Sequence, residues 1–442
     1  MRVSVYGSGL TALVTAWALA DVGNEVLLWP GRQETLRKLR QLVLGFDEPG
    51  LKDRLKEQLI TGRLLAAETE THAFVHGEVH CLAYKSTDQL QAEALCERLA
   101  KAASAPIVLL NQSTFPVGTT ERLQQQMRAK RSDEAKSVTC LALPSFLQEG
   151  AAIQGFTRPQ RILLGSDSCG TGAEEVGLKR VQELLRPFNR NHERWLGMST
   201  REAEFTKYAI NGMLATKLSF MNEMANLADQ LQVDIEQVRK GVGSDPRIGS
   251  DYIYPGCGFG GLSFSDDVMR LAEAVEERVE DSYLLSTVLQ TNRQQKEVLF
   301  RKLWQLWQAD MQDKTVAIWG ASFKPGTDRI DNAPSLTLMQ ALWAQGVTVR
   351  LYDPKALEQV AQWAGARADL ACCDGMYEAL EGADALLIVT EWKEFWSPDF
   401  ERMAQLMPSR LILDGRNIYD PGYLQAQGFR YIGIGRSNGV EI

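Results

Sequence analysis

The sequence predicts an α/β protein with two Rossmann-like, doubly wound domains joined by a long central helix and a helical middle domain. A strand–turn–helix–strand pattern opens the chain, a second one opens at Lys314, and an uninterrupted helical pattern begins near Thr200. The 442 residues, of which 45% are hydrophobic, are enough for more than one core. We therefore expect domains over residues 1–198, 199–310 and 311–442.

The N-terminal domain reads as alternating strands and helices. Apolar residues at 3–6 and 25–29 predict strands on either side of a helix over 11–22. Later apolar runs predict further strands at 79–84, 106–110, 138–143 and 161–165. Because polar, often helix-forming stretches separate these runs, we expect one doubly wound parallel sheet.

A glycine-rich turn connects the first strand to the first helix. Gly7-Ser8-Gly9-Leu10-Thr11-Ala12 forms a GxGxxA pattern. Missing side chains let a phosphate approach the backbone N–H groups at the positive end of the helix. The pattern predicts a dinucleotide site at Gly7, Gly9 and Leu10, and a tight turn without a ligand is the alternative.

The end of the second strand lacks the carboxylate that commonly binds the ribose hydroxyls of NAD. Its residues are Trp29-Pro30-Gly31-Arg32. Arg32 is a candidate for binding the 2′-phosphate of NADP, and simple solvent exposure is the alternative. NAD and NADP both stay open as cofactors on this evidence.

The middle and the end of the chain read as helical and then again as α/β. Residues 200–232 hold apolar residues at spacings of three and four without a proline, which predicts one long helix. A glycine-rich loop follows over 245–267, and a further helical stretch is predicted over 267–309. The third domain is predicted to contain a helix over 335–344 and strands over 347–354, 385–390 and 410–414.

Composition excludes several classes of protein. The chain has 48 Lys and Arg against 56 Asp and Glu, a net charge of −8, so no overall positive field attracts nucleic acid or an anionic membrane. Seven cysteines without a CxxC pair indicate a reducing cytoplasm. No apolar run reaches ~18 residues, so we expect neither a membrane span nor a signal peptide.

Three of the four histidines lie four residues apart, at His72, His76 and His80. On one continuous helix they would form a metal-binding face. Gly77 and the apolar run from Val79 instead predict a change from helix to strand, which would separate the ligands. We therefore expect no metal site.

Several polar side chains have no local signature of a function. Lys207 and Asn211 lie four residues apart and share a face of the predicted long helix. The same spacing is found in ordinary solvated pairs that have no function. The other candidates that gain meaning only from a wider pattern are Thr114, Glu149, Ser263 and Asp267.

Such a pattern exists in ten segments that follow one another along the chain. They are EPGL at 48–51, STFPVGT at 113–119, FLQEGAAI at 146–153, KYAINGMLATKLSFMNEMANL at 207–227, SDPRIGSDY at 244–252, PGCGFGG at 255–261, FKPGTD at 323–328, APSL at 333–336, TEWKEF at 390–395 and DGRNIYDP at 414–421. With these segments the chain resembles the UDP-glucose/GDP-mannose dehydrogenase family over nearly its whole length. The DPRIG loop resembles the UDP-glucose 6-dehydrogenase branch.

The resemblance implies oxidation of a sugar C6 alcohol to a carboxylate by two hydride transfers to NAD, through an aldehyde bound to a cysteine. By position it implies catalytic roles for Thr114, Glu149, Lys207, Asn211, Ser263 and Asp267, and cofactor contacts for Thr114 and Glu149. It implies UDP-sugar contacts for Arg247, Tyr252, Gly256, Phe259, Gly260, Lys324 and Arg416. Arg247 is expected to act across a homodimer.

Departures from the family pattern affect the nucleophile and the cofactor. Ser263 stands where the family has its cysteine, and Asp266 where a lysine is usual. A serine is far less ionised than a thiol and would form an ester that hydrolyses more slowly. The ribose-binding aspartate falls at Pro30. Other departures are Tyr84-Lys85-Ser86-Thr87 in place of V-G-T-P, Ser145 in place of glutamate and Asp331 in place of arginine.

Two functions of different classes follow. The first is a UDP-sugar 6-dehydrogenase that uses NAD or NADP and is slow, or stops at the aldehyde, because Ser263 replaces the cysteine. The alternative is a non-catalytic homologue that binds a nucleotide sugar, or that regulates or scaffolds a true dehydrogenase. A third alternative is that the substrate is a different sugar nucleotide, which Asp266 contacts.

Overall fold

The structure, a computed structural model, describes residues 1–131, 137–167, 172–189 and 194–436. Contacts divide the chain into two compact units, Met1–Ala209 and Ile210–Ile442. The boundary between the units lies within a long helix, Thr200–Leu231.

The first unit alternates strands and helices. Its strands are β1 (Arg2–Tyr6), β2 (Glu25–Trp29), β3 (Leu64–Ala66), β4 (Val79–Leu82), β5 (Ile107–Asn111), β6 (Val138–Ala142), β7 (Ile162–Gly165) and β8 (Trp195–Met198). Its helices are α1 (Leu10–Asp21), α2 (Gln33–Arg40), α3 (Leu51–Ile60), α4 (Glu70–His76), α5 (Gln89–Ala102), α6 (Thr119–Ala129), α7 (Ala152–Thr157), α8 (Ala173–Leu185) and the start of α9 (Thr200–Leu231). The six predicted strands are confirmed, whereas the short strands β3 and β8 carried no sequence signal.

The strands of the first unit form one sheet in the order β3-β2-β1-β4-β5-β6-β7-β8. The first six follow the Rossmann order and are parallel. The prediction of a wholly parallel sheet is wrong at β7, which pairs antiparallel with β6 at Ala142 and Gly165. The connection between them contains only the six-residue helix α7, which packs against α1, in place of a crossover helix.

Helix α1 lies in the middle of the first core. Every residue from 12 to 20 is buried, including Trp17. A helix that is apolar on all sides needs cover on all sides, and α3, α7 and β2 supply it. The first helical turn, which follows the glycine turn, is therefore held rigidly in place.

The three spaced histidines do not lie on one continuous helix. His76 ends α4, and His80 lies in β4, so the predicted change from helix to strand is confirmed. The buried His80 shares a 2.8 Å hydrogen bond between its Nδ1 and the hydroxyl of Tyr6. Burial, with a smaller effect of His76, lowers the pKa of His80 to about 3. The residue is a neutral core histidine at physiological pH.

The second unit begins with helices and ends with a second sheet. Its helices after α9 are α10 (Ile235–Ser244), α11 (Leu262–Glu276), α12 (Leu284–Gln295), α13 (Val298–Leu306), α14 (Pro334–Trp343), α15 (Leu357–Ala364), α16 (Phe400–Leu406) and α17 (Pro421–Ala426). Its strands are β9 (Thr315–Trp319), β10 (Thr348–Tyr352), β11 (Leu370–Cys372), β12 (Ala385–Ile388), β13 (Leu411–Asp414) and β14 (Arg430–Gly433). The sheet is wholly parallel, in the Rossmann order β11-β10-β9-β12-β13-β14.

The predicted helical stretch over 267–309 is confirmed as helical, but its start differs from the prediction. It starts earlier, at Leu262, because Gly261 has a φ of 91° that ends the loop and the next six residues contain neither glycine nor proline. It is also three helices, with a break between α11 and α12 at which Asp281 takes a left-handed φ of 56°. Ser263 and Asp267 consequently lie on a helix.

Two further expectations concern thiols and membranes. The six cysteines in the described ranges, Cys81, Cys96, Cys140, Cys257, Cys372 and Cys373, are free thiols, and Cys169 lies outside these ranges. No helix in the described part of the chain is long and apolar enough to span a bilayer.

Candidate functional site

The glycine turn of the first unit is shaped to accept an anion. Gly7 has a φ of 134°, and a Cβ built on it would lie 2.2 Å from the carbonyl oxygen of Ala83, so a larger residue is excluded. At Gly9 no atom lies within 4 Å of the corresponding position. Helix α1 begins at Leu10 with no side-chain cap and no acidic residue in its first turn. Its first N–H groups therefore fit a dinucleotide pyrophosphate.

The segment that contains Thr114 is anchored by a buried glutamate that the sequence did not reveal. The Glu204 carboxylate of α9 accepts hydrogen bonds from the N–H groups of Gly118 at 2.6 Å and Thr120 at 2.9 Å. The Thr120 hydroxyl donates to it at 2.6 Å and accepts from Asn111, at the end of β5. Burial raises the pKa of Glu204 despite these bonds. Both ends of the Thr114 segment are thus held.

Glu149 lies in a second anchored segment of the same unit. The carboxylate of Glu48 is buried and accepts hydrogen bonds from the N–H groups of Gly150 at 2.6 Å and Ala152 at 2.8 Å. The EPGL segment therefore positions the backbone next to Glu149.

The Lys207 ammonium lies near the same anchored segment. Its Nζ lies 4.9 Å from the ring centre of Phe146, and Lys207 is only 8% exposed. The structure thus brings Lys207 next to the segment that carries Glu149.

In the second unit, Asn211 and Asp267 form a buried polar pair. The amide Nδ2 of Asn211 donates to Oδ2 of Asp267 at 2.8 Å, and the two residues are 6% and 1% exposed. Asp267 lies one turn after Ser263 on α11, and Ser263 is exposed in the first turn. The pair fixes the orientation of a buried carboxylate one helical turn after an accessible hydroxyl.

Amide side chains clamp the backbone of the glycine-rich loop, 255–261. Asn292 accepts from the N–H of Phe259 at 2.9 Å and donates to its carbonyl at 3.1 Å. Asn222 accepts from the N–H of Gly256 at 2.8 Å, and Gln295 donates to its carbonyl at 2.7 Å. No sequence signal marked these three amides, because nothing local shows which backbone they meet.

The end of this loop lies directly against backbone that precedes α14. A Cβ on Gly260 would lie 2.5 Å from the carbonyl oxygen of Asn332, and one on Gly261 would lie 2.8 Å from the ring of Phe323. The N–H of Gly261 donates to the carbonyl of Asp331 at 2.8 Å. Only glycine fits at both positions, which explains the glycine density seen in the sequence.

Arg416 reaches this loop from the end of β13. Its Nε donates to the carbonyl of Val389 at 2.7 Å, and its Nη1 donates to the carbonyl of Gly258 at 3.3 Å. Glu391 forms an ion pair with Nε at 3.2 Å. The buried Asp414 accepts the backbone N–H of Arg416 at 2.9 Å. Arg416 and the glycine-rich loop, both of which the resemblance assigns to the UDP-sugar, therefore meet.

Lys324 lies in the turn after β9. The buried Asp353 holds this turn by accepting the N–H of Ala321 at 2.7 Å. The Lys324 Nζ lies 5.6 Å from the ring centre of Phe323, the residue that packs on Gly261. Lys324 thus belongs to the same surroundings as the loop.

Two predicted residues lie in the exposed segment that precedes the loop. The Arg247 side chain is 86% exposed and forms a bidentate ion pair with Asp245, with contacts of 3.0 and 2.7 Å. Tyr252 takes a left-handed φ of 59°, and burial raises its pKa. Arg32 of the first unit is also exposed.

In the described part of the chain, no group of three or more His, Cys, Asp or Glu side chains could hold a metal.

Two Rossmann sheets, the first of which carries a glycine turn open to a pyrophosphate, are typical of dinucleotide-dependent oxidoreductases. Family models agree: residues 1–189, 201–294 and 317–421 match the NAD binding, central and UDP binding domains of the UDP-glucose/GDP-mannose dehydrogenase family. The chain belongs to this family.

Similar proteins span the whole length of the chain. A UDP-glucose 6-dehydrogenase of Pseudomonas aeruginosa is 43% identical over 448 residues, covering 99% of this chain and 98% of the relative. One of Rhizobium meliloti is 32% identical, covering 99% and 100%. A solved UDP-glucose dehydrogenase of Pyrobaculum islandicum is 26% identical with a TM-score of 0.86, covering 98% of each chain.

The amide clamp generates a prediction about stability. Asn292→Ala leaves the part-buried N–H and carbonyl of Phe259 without these partners, so the free energy of unfolding should fall by about 1–3 kcal/mol. Urea unfolding followed by tryptophan fluorescence measures the change. Gln362→Ala, which removes an exposed amide bonded to Glu358, serves as the control and should change little. Equal effects of the two substitutions would contradict the clamp.

Proposed function

We propose that this chain oxidises the C6 hydroxyl of UDP-glucose, with NAD as the hydride acceptor. The observation that carries the proposal is the buried Asn211–Asp267 pair, set in a chain that matches all three domains of the family. The full-length similarity to a UDP-glucose 6-dehydrogenase supports UDP-glucose as the substrate.

The UDP-sugar is proposed to bind along the glycine-rich loop. Arg416 and Lys324 lie beside this loop and supply positive charge for the diphosphate, which an acidic protein must provide locally. The backbone at Gly256, Phe259 and Gly260 is held for contact with the ligand. Further substrate contacts are proposed for Tyr252 and for Arg247, the latter across a dimer.

The roles proposed for the polar residues follow from the chemistry of alcohol oxidation. NAD, when bound, accepts the hydride that leaves C6. Lys207 and Asn211 donate hydrogen bonds to the oxygen at which negative charge develops, because preorganised donors stabilise such charge. Asp267 accepts the hydroxyl proton, directly or through a water. Thr114 and Glu149 are proposed to hold that water and to contact the cofactor.

Ser263 is proposed to lie beside the substrate without forming a covalent intermediate. Its hydroxyl is protonated at neutral pH, and α11 contains no histidine, the base that commonly activates a catalytic serine. We propose that the aldehyde is released or reacts as its hydrate. The hydrate, R-CH(OH)₂, loses a hydride to a second NAD and a proton to the solvent, which leaves the carboxylic acid.

The free thiols of the described residues fit a reducing compartment, and we propose the cytoplasm as the site of action.

We also propose that the chain forms a homodimer through α9. Met213, Phe220 and Leu227 recur every seven residues on this helix and are 63%, 51% and 47% exposed. A stripe of this kind is typical of a helix that packs against a second copy.

The proposed base generates the first prediction of activity. Asp267→Asn keeps the shape of the side chain but removes its ability to accept a proton, so kcat/KM should fall by about 10²–10⁴-fold. Absorbance at the nicotinamide band, with UDP-glucose and NAD, measures the rate. Glu273→Gln, an exposed carboxylate on the same helix, should stay within about twofold. Absence of nicotinamide reduction by the unmodified chain would contradict the function itself.

A second prediction concerns the missing nucleophile. Ser263→Cys restores a thiol, which should capture the aldehyde and speed formation of the acid by about tenfold or more. Intact-protein mass spectrometry during turnover should detect a sugar-nucleotide adduct on the Ser263→Cys variant and none on the unmodified chain. An ester adduct on Ser263 would contradict the non-covalent route.

A third prediction concerns the dimer. Phe220→Glu places a charge in the middle of the apolar stripe, so the dimer should dissociate at micromolar concentration. Sedimentation velocity measures the change in mass. Leu90→Glu, at a residue of α5 that is 79% exposed, should remain dimeric. A monomeric unmodified chain would contradict the assembly.

A further inference from the structure

The ends of three neighbouring strands meet around the glycine turn of the first unit. In the sheet, β1 lies between β2 and β4, and the turn at Gly7 follows β1. The segments after the two outer strands approach each other, since a Cβ built on Gly31 would lie 3.4 Å from the hydroxyl of Tyr84. In a Rossmann sheet the adenosine ribose of a dinucleotide binds at the end of β2.

Two positively charged residues follow the strands at the end of the sheet where the ribose is expected to bind. Arg32 directly follows Gly31, and Lys85 directly follows Tyr84, so a cation follows each of the two residues that make this contact. Both residues are exposed, and neither side chain forms a hydrogen bond or ion pair with another residue in the described ranges. Their charges are therefore available to a ligand.

The acidic residues nearby pair mainly with other cations. Glu34 pairs with Lys38 at 2.9 Å and has a smaller electrostatic interaction with Arg32, and Glu68 pairs with Arg40 at 3.4 Å. No carboxylate occurs from Trp29 to Arg32, where an NAD site usually has one to accept bonds from both ribose hydroxyls. The side chain of Pro30, which occupies this place, cannot accept these hydrogen bonds. A guanidinium, by contrast, donates two parallel hydrogen bonds to a phosphate.

We infer that Arg32, assisted by Lys85, binds the 2′-phosphate of NADP, so that this chain accepts NADP as well as NAD and binds NADP more tightly. The inference rests on the dinucleotide site of the proposed function and adds its specificity. Arg32 acts as a specificity residue here because it contacts the cofactor far from the reacting carbon.

Calorimetry with adenosine fragments tests this inference without turnover. At fixed ionic strength, 2′,5′-ADP should bind the unmodified chain at least tenfold more tightly than 5′-ADP. Arg32→Ala should remove most of this difference while it changes the 5′-ADP affinity less than twofold. Arg32→Asp should favour 5′-ADP, because an aspartate repels the 2′-phosphate. Arg37→Ala, at an exposed arginine on the helix α2 that follows Arg32, is the control for a general field effect and should keep the preference.

The outcomes separate the inference from the function on which it rests. Equal binding of the two fragments, or tighter binding of 5′-ADP, would overturn the preference for NADP and leave the proposed oxidation intact. Equal losses in Arg32→Ala and Arg37→Ala would overturn a specific role for Arg32. Binding of neither fragment would remove the dinucleotide site itself, and the proposed function with it.

Discussion

The contact between the glycine-rich loop and the backbone beside it is the constraint on which the proposed substrate site depends. Gly260 and Gly261 approach the carbonyl of Asn332 and the ring of Phe323 so closely that no side chain fits. The same contact sets the start of α11 at Leu262, and with it the direction in which Ser263 and Asp267 point. Loops are usually mobile, but Asn222, Asn292 and Gln295 bond both N–H and carbonyl groups of this one, so it has few alternative conformations.

Buried carboxylates organise the other segments of the proposed site in the same way. Glu204 holds the segment of Thr114, Glu48 the segment of Glu149, Asp353 the turn of Lys324, and Asp414 the backbone of Arg416. Each accepts backbone N–H groups where a strand ends or a helix begins, which offsets part of the cost of burying its charge. An acidic chain can thus present cations to a diphosphate, because many of its carboxylates are occupied by its own backbone.

The sequence predicted the parts of the fold that periodicity and glycine punctuation control. Six strands of the first sheet, the long α9 and the turn at Gly7 were predictable, because burial on both faces leaves a continuous apolar run and a close approach demands glycine. The antiparallel direction of β7 and the start of α11 were not, because they depend on where a connection packs. The sequence also did not reveal Glu204 or Asn292. These side chains hydrogen-bond backbone groups that lie far away in the sequence, and contacts of this kind leave no local sequence pattern.

The central claim is that the chain oxidises C6 of a UDP-sugar despite a serine in the position of the family cysteine. Carbon-13 NMR of UDP-glucose labelled at C6, incubated with the full chain and either NAD or NADP, tests it most directly. The account predicts that the label leaves the hydroxymethyl region and appears as an aldehyde hydrate or a carboxylate, in step with cofactor reduction. A label that stays in the hydroxymethyl region with both cofactors, while the protein binds UDP-glucose, would contradict it.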